Sequence, residues 1–438
     1  MTPSTAAALP NDPEVDQPWV AQIGAPQAWD VTTGAAPVVV GVIDTGVDLT
    51  HPDLAPNAWV NAGEQAGNGT DDDGDGLVDD VAGWSFGHDT GDVADPNGHG
   101  THVAGLVAAR GGNGIASAGV CWTCTLLAVD VYRDGGRGTL HDLASGMAYA
   151  AERARIVNLS LESPVSSDEV AAVVTDHPDR LFVVSAGNGG HDVDATPSWP
   201  CAIAAPNLLC VAADDDGRPA EAANWGARSV HLAAPGVGLV STAPGGGTAA
   251  MTGSSFAAPL VSGTAALLWS WRPEAGVSEV RDAILAGADA MPAWAGRTVT
   301  GARLNVFGAL RALAAARGEQ PPPAPAPVQV AAAPPAPVSA SSSSSSIVRP
   351  APLAVVMPRA RVRRGVVSVR LLCGSRTRGC SGTVHVLGGA RRFSLVSRGA
   401  RTERFRLRRA FRARSPRRLR VVVDAGDRSR VYRVRVRR

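Results

Sequence analysis

Four short runs of this chain are almost continuously apolar: Val38–Ile43, Leu126–Val131, Ile156–Leu161 and Leu181–Ser185. A strand with one wet face alternates polar and apolar residues, whereas a run without alternation must be covered on both faces. Between the runs lie helical patterns such as Leu140–Arg153 and Ala257–Trp271. Strand, helix and strand repeated in this way predict an α/β fold, an open parallel sheet flanked by helices on both faces. The pattern occupies residues 1–315 of 438, and a chain of this length has room for two or three domains.

The rest of the chain reads differently. Residues 316–350 hold Pro321–Pro327, rich in proline and alanine, and the serine run Ser341–Ser346, and they predict a linker. Residues 351–438 alternate with period two, as in Arg404–Arg408 and Tyr432–Arg437, and predict a small all-β, sandwich-like C-terminal domain. The formal net charge of +1 conceals a division. Residues 351–438 carry 26 arginines against three acids, a net +23, while residues 1–350 carry a net −22. Three readings of the basic domain stay open: contact with an anionic cell surface or wall, docking on the acidic half, or a solvated arginine face. Its few aromatics (Phe393, Phe405, Phe411, Tyr432) and the lack of a recognised motif argue against nucleic acid as a partner.

The six cysteines fall in close pairs, Cys121/Cys124, Cys201/Cys210 and Cys373/Cys380, which predicts three local disulfides and an oxidising compartment. The alternative for Cys121–Cys124, a redox or zinc motif, lacks a second CxxC or histidines at metal spacing. No run reaches the ~18–20 apolar residues of a membrane helix. Met1–Ser4 lacks the basic-then-apolar pattern of a signal peptide, so the leader of a secreted or cell-surface protein is expected to lie outside this sequence.

Four segments carry the chemistry: Val42–Gly46, His99–Gly105, Ser185–Asn188 and Gly253–Pro259. In order they supply an acid, an imidazole, an amide and a hydroxyl. Serine is a weak nucleophile until a base takes its proton, and a buried aspartate fixes the tautomer of that base. Asp44 ends an apolar run, so its carboxylate is expected at the carboxyl edge of the sheet. Ser255 is expected at the start of a helix, with Pro259 in about the first turn and its own amide facing a developing negative charge. Asn188 follows a strand and a glycine, a place from which its side chain can reach the same oxygen.

Together these segments resemble the subtilisin-like serine peptidase family over about residues 10–315. The resemblance implies Asp44, His99 and Ser255 as catalytic residues, Asn188 as the oxyanion donor, and His102 as helix core beneath His99. It implies polypeptide substrates held by edges at Arg137–Gly138 and at Ser160–Leu161–Glu162. Glu162 stands where the family has glycine. It is read as narrowing the pocket for the residue before the cut, as favouring basic residues there, or as pointing to solvent. Gly253-Ser254-Ser255-Phe256-Ala257 likewise replaces the usual Gly-Thr-Ser-Met-Ala and keeps its small-then-apolar character. The family folds with an N-terminal propeptide, and none precedes Asn11–Pro13, so a mature or shortened form is expected.

The second strong signal is Asp71–Asp80. Hard cations want several oxygens from one tight loop, and Asp71, Asp73 and Asp75 with Gly76 match the start of a calcium loop. Ala82 stands where an EF-hand has glutamate, so Asp79 or Asp80 must close the shell. The expected calcium ligands are Asp71, Asp73, Asp75, Leu77 through its carbonyl, and Asp80. The family resemblance implies a second site at Asp53, Asn113 and the Ile115 carbonyl. The expected protein is a secreted, calcium-stabilised serine endopeptidase, monomeric and without an organic cofactor. The alternative is a catalytically silent scaffold acting as a surface-binding protein.

Overall fold

The computed structural model describes residues 9–133 and 136–323 in full, and beyond them the backbone of strands within 355–437. The chain divides into two units, Met1–Gln329 and Val330–Arg438.

The strands of the first unit are β1 (Val39–Asp44), β2 (Gly83–Ser85), β3 (Thr125–Asp130), β4 (Ile156–Leu159), β5 (Leu181–Ser185), β6 (Leu208–Asp215), β7 (Arg218–Pro219), β8 (Leu232–Pro235), β9 (Leu239–Ala243), β10 (Gly247–Met251), β11 (Asp289–Ala290) and β12 (Ala302–Arg303). The helices are α1 (Pro18–Gln22), α2 (Ala25–Trp29), α3 (His99–Ala108), α4 (Leu140–Arg153), α5 (Asp168–Asp176), α6 (Ser254–Trp271), α7 (Val277–Ala286) and α8 (Val306–Ala316). The main sheet runs β11-β12-β8-β6-β5-β4-β1-β3-β2, with β7 beside β6. Its central pairs are all parallel.

The unalternating runs now have their reason. Val40, Val42, Leu126, Ala128, Leu181 and Val183 enter one core with α3, α6, α7 and α8. Their neighbours Ile43, Leu127, Val129, Phe182 and Val184 enter a second core with α4 and α5. Gly41 breaks the apolar run because α4 presses there: a Cβ at this position would fall 2.9 Å from the Ala150 methyl.

β1 lies between β3 and β4. From β1 the chain runs to the edge strand β2, comes back through β3 beside β1, and then builds the other side outward from β4. This topological switch opens a crevice at the carboxyl ends of the central strands, where open α/β sheets hold their ligands.

Two boundaries differ from the sequence reading. Strand β4 stops at Leu159, two residues early, because Ser160 turns to bond with Ser255. Helix α6 begins at Ser254, so Pro259 is its sixth residue and lies beyond the expected first turn. The Cys121–Cys124 and Cys201–Cys210 disulfides are formed. The expected Cys373–Cys380 pair, like most of the expected linker, lies outside the residues whose side chains are described.

The described residues of the second unit form strands: β13 (Val355–Val356), β14 (Ala360–Arg363), β15 (Val366–Cys373), β16 (Cys380–Val386), β17 (Gly389–Leu395), β18 (Ala400–Arg406), β19 (Arg418–Ala425) and β20 (Arg428–Arg437). Register sets Arg418 opposite Arg435, Arg420 opposite Arg433, and Arg361 opposite Arg437. Paired residues share a sheet face, so these six arginines lie on one face, while Leu419, Val421, Tyr432 and Val434 lie on the other.

Candidate active site

Asp44 ends β1 at the switch point and is almost wholly buried. Its Oδ1 accepts the Thr45 N–H at 2.8 Å and His99 Nδ1–H at 2.7 Å. The second bond fixes the tautomer, leaving Nε2 as the basic nitrogen. His99 is the first residue of α3. The following Gly100 is required by close approach: a Cβ there would fall 2.1 Å from the Gly46 carbonyl and 2.9 Å from Asp44 Cβ.

Burial pulls the His99 pKa down, but the charge and hydrogen bond of Asp44, with the charge of Asp95, outweigh it and leave the pKa raised. Sequence reading missed Asp95. Its carboxylate accepts the N–H groups of Gly98 and Thr101, both at 2.8 Å, and so caps the start of α3 beneath His99. The signal was available as an aspartate shortly before a helix start.

His102 is core, as expected. Its ring is fully buried, with Nε2 3.0 Å from the Leu239 carbonyl and 2.9 Å from that of Ala249. It thereby ties α3 to the β9–β10 hairpin. Burial drives its pKa down to about 4, so the ring is neutral at ordinary pH.

Ser255 is the second residue of α6. Pro259 has no N–H, so the Ser255 carbonyl loses its usual partner four residues on. Ser160 replaces it, its hydroxyl donating to the Ser255 carbonyl at 2.7 Å. In return the Ser255 hydroxyl donates to the Ser160 carbonyl at 3.1 Å. Among the described residues Ser255 makes no hydrogen bond to His99, although the adjacent Phe256 ring packs 5.1 Å from the imidazole. Such contacts are commonly loose without substrate.

Asn188 follows β5. The Ser254 N–H bonds to its Oδ1 at 2.9 Å. A backbone N–H can only donate, so the amide oxygen must face it and Nδ2 must point the other way. Among the described residues Nδ2 has no acceptor, and neither has the Ser255 N–H. The Asn188 side-chain amide and the Ser255 N–H at the start of α6 are therefore two donors available to a developing oxyanion.

Of the expected substrate edges, Ser160 is buried against Ser255, and Leu161 is half-buried with its carbonyl accepting from Ser185. Glu162 is exposed, with its carboxylate turned toward Asn188. Arg137 and Gly138 lie in an exposed turn closed by the Arg133 N–H and the Arg137 carbonyl, 2.8 Å apart.

The acidic loop gathers carboxylates in two groups that share Asp73: Asp73, Asp75 and Asp80, and Glu64, Asp71 and Asp73. Glu64, which sequence reading missed, accepts backbone N–H groups of Asp72, Asp73 and Asp79. Asp80 is fully buried beneath the loop, bonded by Tyr149 Oη–H at 2.6 Å and Asn61 Nδ2–H at 2.7 Å. Burial, reinforced by the charge of Asp75, holds its carboxyl above the usual range. The side-chain donors of both groups are all oxygen, several of them charged, which is the chemistry a calcium ion takes. Arg153 pairs with Asp75 and stacks on Tyr149.

At the second expected site the buried Asp53 carboxylate is already bonded by Asn113 Nδ2–H at 2.8 Å and the Ser117 N–H at 3.0 Å. Asp12 joins it, accepting the N–H groups of Gly112, Asn113 and Gly114, and Ile115 lies at the surface.

A parallel sheet with a switch-point Asp–His pair, a helix-start serine and an oriented asparagine is the arrangement that the resemblance to subtilisin-like serine peptidases implies. A family model described as the subtilase family matches residues 36–309, and the chain belongs to that family. It is 38% identical to a thermophilic serine proteinase of Bacillus sp. (strain AK1), over 56% of this chain and 55% of the relative. It is 34% identical to thermitase of Thermoactinomyces vulgaris, over 64% of this chain and 91% of the relative. The chain thus spans about half of one relative and most of the other. A protease from Pseudoalteromonas arctica PAMC 21717 superposes with a TM-score of 0.57 at 25% identity, covering 70% of this chain and all of that one.

Proposed function

We propose that this chain is a secreted endopeptidase that cleaves proteins through an acyl-enzyme at Ser255, stabilised by calcium. The observation that carries the reading is the 2.7 Å bond between Asp44 and His99 at the mouth of the switch-point crevice. Asp44 orients the imidazole and stabilises its cation. His99 Nε2 takes the Ser255 proton as Oγ attacks the scissile carbonyl, and then gives it to the leaving amine. The carbonyl oxygen, now negative, accepts from Asn188 Nδ2 and the Ser255 N–H. Water, activated by the same histidine, frees the acyl group.

Calcium takes no part in these steps. Asp71, Asp73, Asp75, Asp80 and Glu64, with the Leu77 carbonyl, would hold it, and it would stabilise the fold by binding the native state alone. A second ion near Asp53, Asn113 and Ile115 rests on the buried Asp53, whose pKa burial and the charge of Asp12 leave raised despite its hydrogen bonds. Secretion is supported by the two disulfides. No helix among the described residues is long and apolar enough to cross a membrane. The arginine face of the second unit supports binding to anionic surfaces.

The test is covalent labelling by a fluorophosphonate together with casein hydrolysis. Both are expected of the parent chain and absent from Ser255→Ala. A properly folded parent that neither labels nor hydrolyses would instead be a binding scaffold.

A further inference from the structure

Glu162 places a carboxylate beside the proposed oxyanion site. The chain leaves β4 through Ser160, whose carbonyl holds the Ser255 hydroxyl, and reaches Glu162 two residues later. Its Oε1 accepts the Asn188 N–H at 3.4 Å, and its Oε2 accepts the Ser198 hydroxyl at 3.2 Å. The carboxylate occupies space that Gly187 leaves open, since a Cβ at Gly187 would fall 1.8 Å from Oε2. A two-stranded bridge between Ser163 and Trp199 holds the flanking segments together, with N–H to carbonyl distances of 2.8 and 2.9 Å. Both partners of the carboxylate are neutral, and among the described residues no cation forms an ion pair with it. Held by these two bonds at the edge of the crevice, the carboxylate is open to solvent on its remaining side.

Asn188 connects this charge to the reaction. Its side chain is oriented toward a developing oxyanion, while its own backbone N–H donates to Glu162. The carbonyl held by Asn188 belongs to the residue before the cut, and that residue's side chain branches one bond away. We infer that Glu162 makes the enzyme prefer arginine or lysine immediately before the cut, with the cationic end of the substrate side chain pairing with its carboxylate. The inference rests on the reading of Ser255 as nucleophile. Arginine is the better partner, because its planar fork can bond both carboxylate oxygens. A substrate glutamate at the same place would meet like charge and be rejected.

The experiment compares kcat/KM for peptides that differ only before the scissile bond: arginine, lysine, leucine and glutamate. The parent enzyme is expected to favour arginine over leucine by about tenfold, and to lose part of that preference as salt rises, since the carboxylate is partly solvated. Glu162→Gln, which keeps the shape and removes the charge, is expected to bring the arginine-to-leucine ratio close to one. Glu162→Asp is expected to keep part of the preference. Fluorophosphonate labelling of the parent at Ser255 is measured alongside. Labelling without an arginine preference, or an arginine preference that persists in Glu162→Gln, overturns the assignment of Glu162 alone. Absence of labelling removes the site reading beneath it. The parent ratio and its salt dependence decide the matter even if the glutamine variant does not fold.

Discussion

At the residue scale, each proposed catalytic group is held by neighbours that perform no chemistry themselves. Asp95 caps the helix that presents His99, Ser254 turns Asn188, and Ser160 replaces the hydrogen bond that Pro259 removes from Ser255. The Asp44 bond has a measurable consequence. A base works only when neutral, so kcat/KM is expected to rise with pH through the His99 pKa, which lies above that of a free imidazole. In Asp44→Asn the charge that raises this pKa is gone, so the acid limb is expected to move to lower pH. The plateau should fall by about 10⁴-fold as the tautomer is lost. A pH–rate profile of both forms checks the shift, and an unmoved limb would separate His99 from the reaction.

At the element scale, the loop from Glu64 to Asp80 packs seven carboxylates, and among the described residues only the Arg153 guanidinium forms an ion pair with them. Such a loop repels itself unless a cation is shared among the groups. Addition of excess chelator is therefore expected to lower the melting temperature and to speed cleavage within this loop. Asp80→Asn should reproduce part of the loss without chelator. Differential scanning calorimetry of Ser255→Ala, which removes self-digestion, provides the measurement. A melt unchanged by chelator would argue against a structural ion.

The whole molecule should respond to acid through the buried His102 and the half-buried His231. His102 and His231 both have pKa values lowered to about 4, in each case first by burial. In the unfolded chain they would titrate near ~6.5. Between these values the unfolded chain binds protons that the native one does not. Their contribution to stability is thus complete above about pH 6.5 and is lost as the pH falls toward 4. For His102 alone this is on the order of 3 kcal/mol. Urea unfolding of Ser255→Ala at a series of pH values is expected to show the decline, with a weaker slope in His102→Gln. The second unit adds a separate expectation. The full chain should be retained on an anionic matrix at low salt and released as salt rises, and a chain ending at Gln329 should pass through. Equal retention of the two would remove the anionic surface as a partner.

What was legible in the sequence follows from what is local. Short apolar runs without alternation, separated by helical patterns, fit strands covered on both faces in a parallel sheet flanked by helices. The four motifs supplied the candidate groups and their order, and the aspartate-glycine spacing raised the expectation of a cation loop, since each is written in consecutive residues. Tertiary structure decided the rest, because it depends on which strands lie side by side. The switch at β1 brings Asp44, Ser160 and Ser255 to one crevice from distant parts of the chain. The Ser160–Ser255 exchange joins residues 95 positions apart, and Glu64 and Asp12 enter their clusters from outside the motifs. Glu162 could be read from sequence as a departure from a family pattern, but its partners could not. Only the fold sets its carboxylate against Gly187, Asn188 and Ser198, because those contacts cross from the end of one strand to the loops beyond the next.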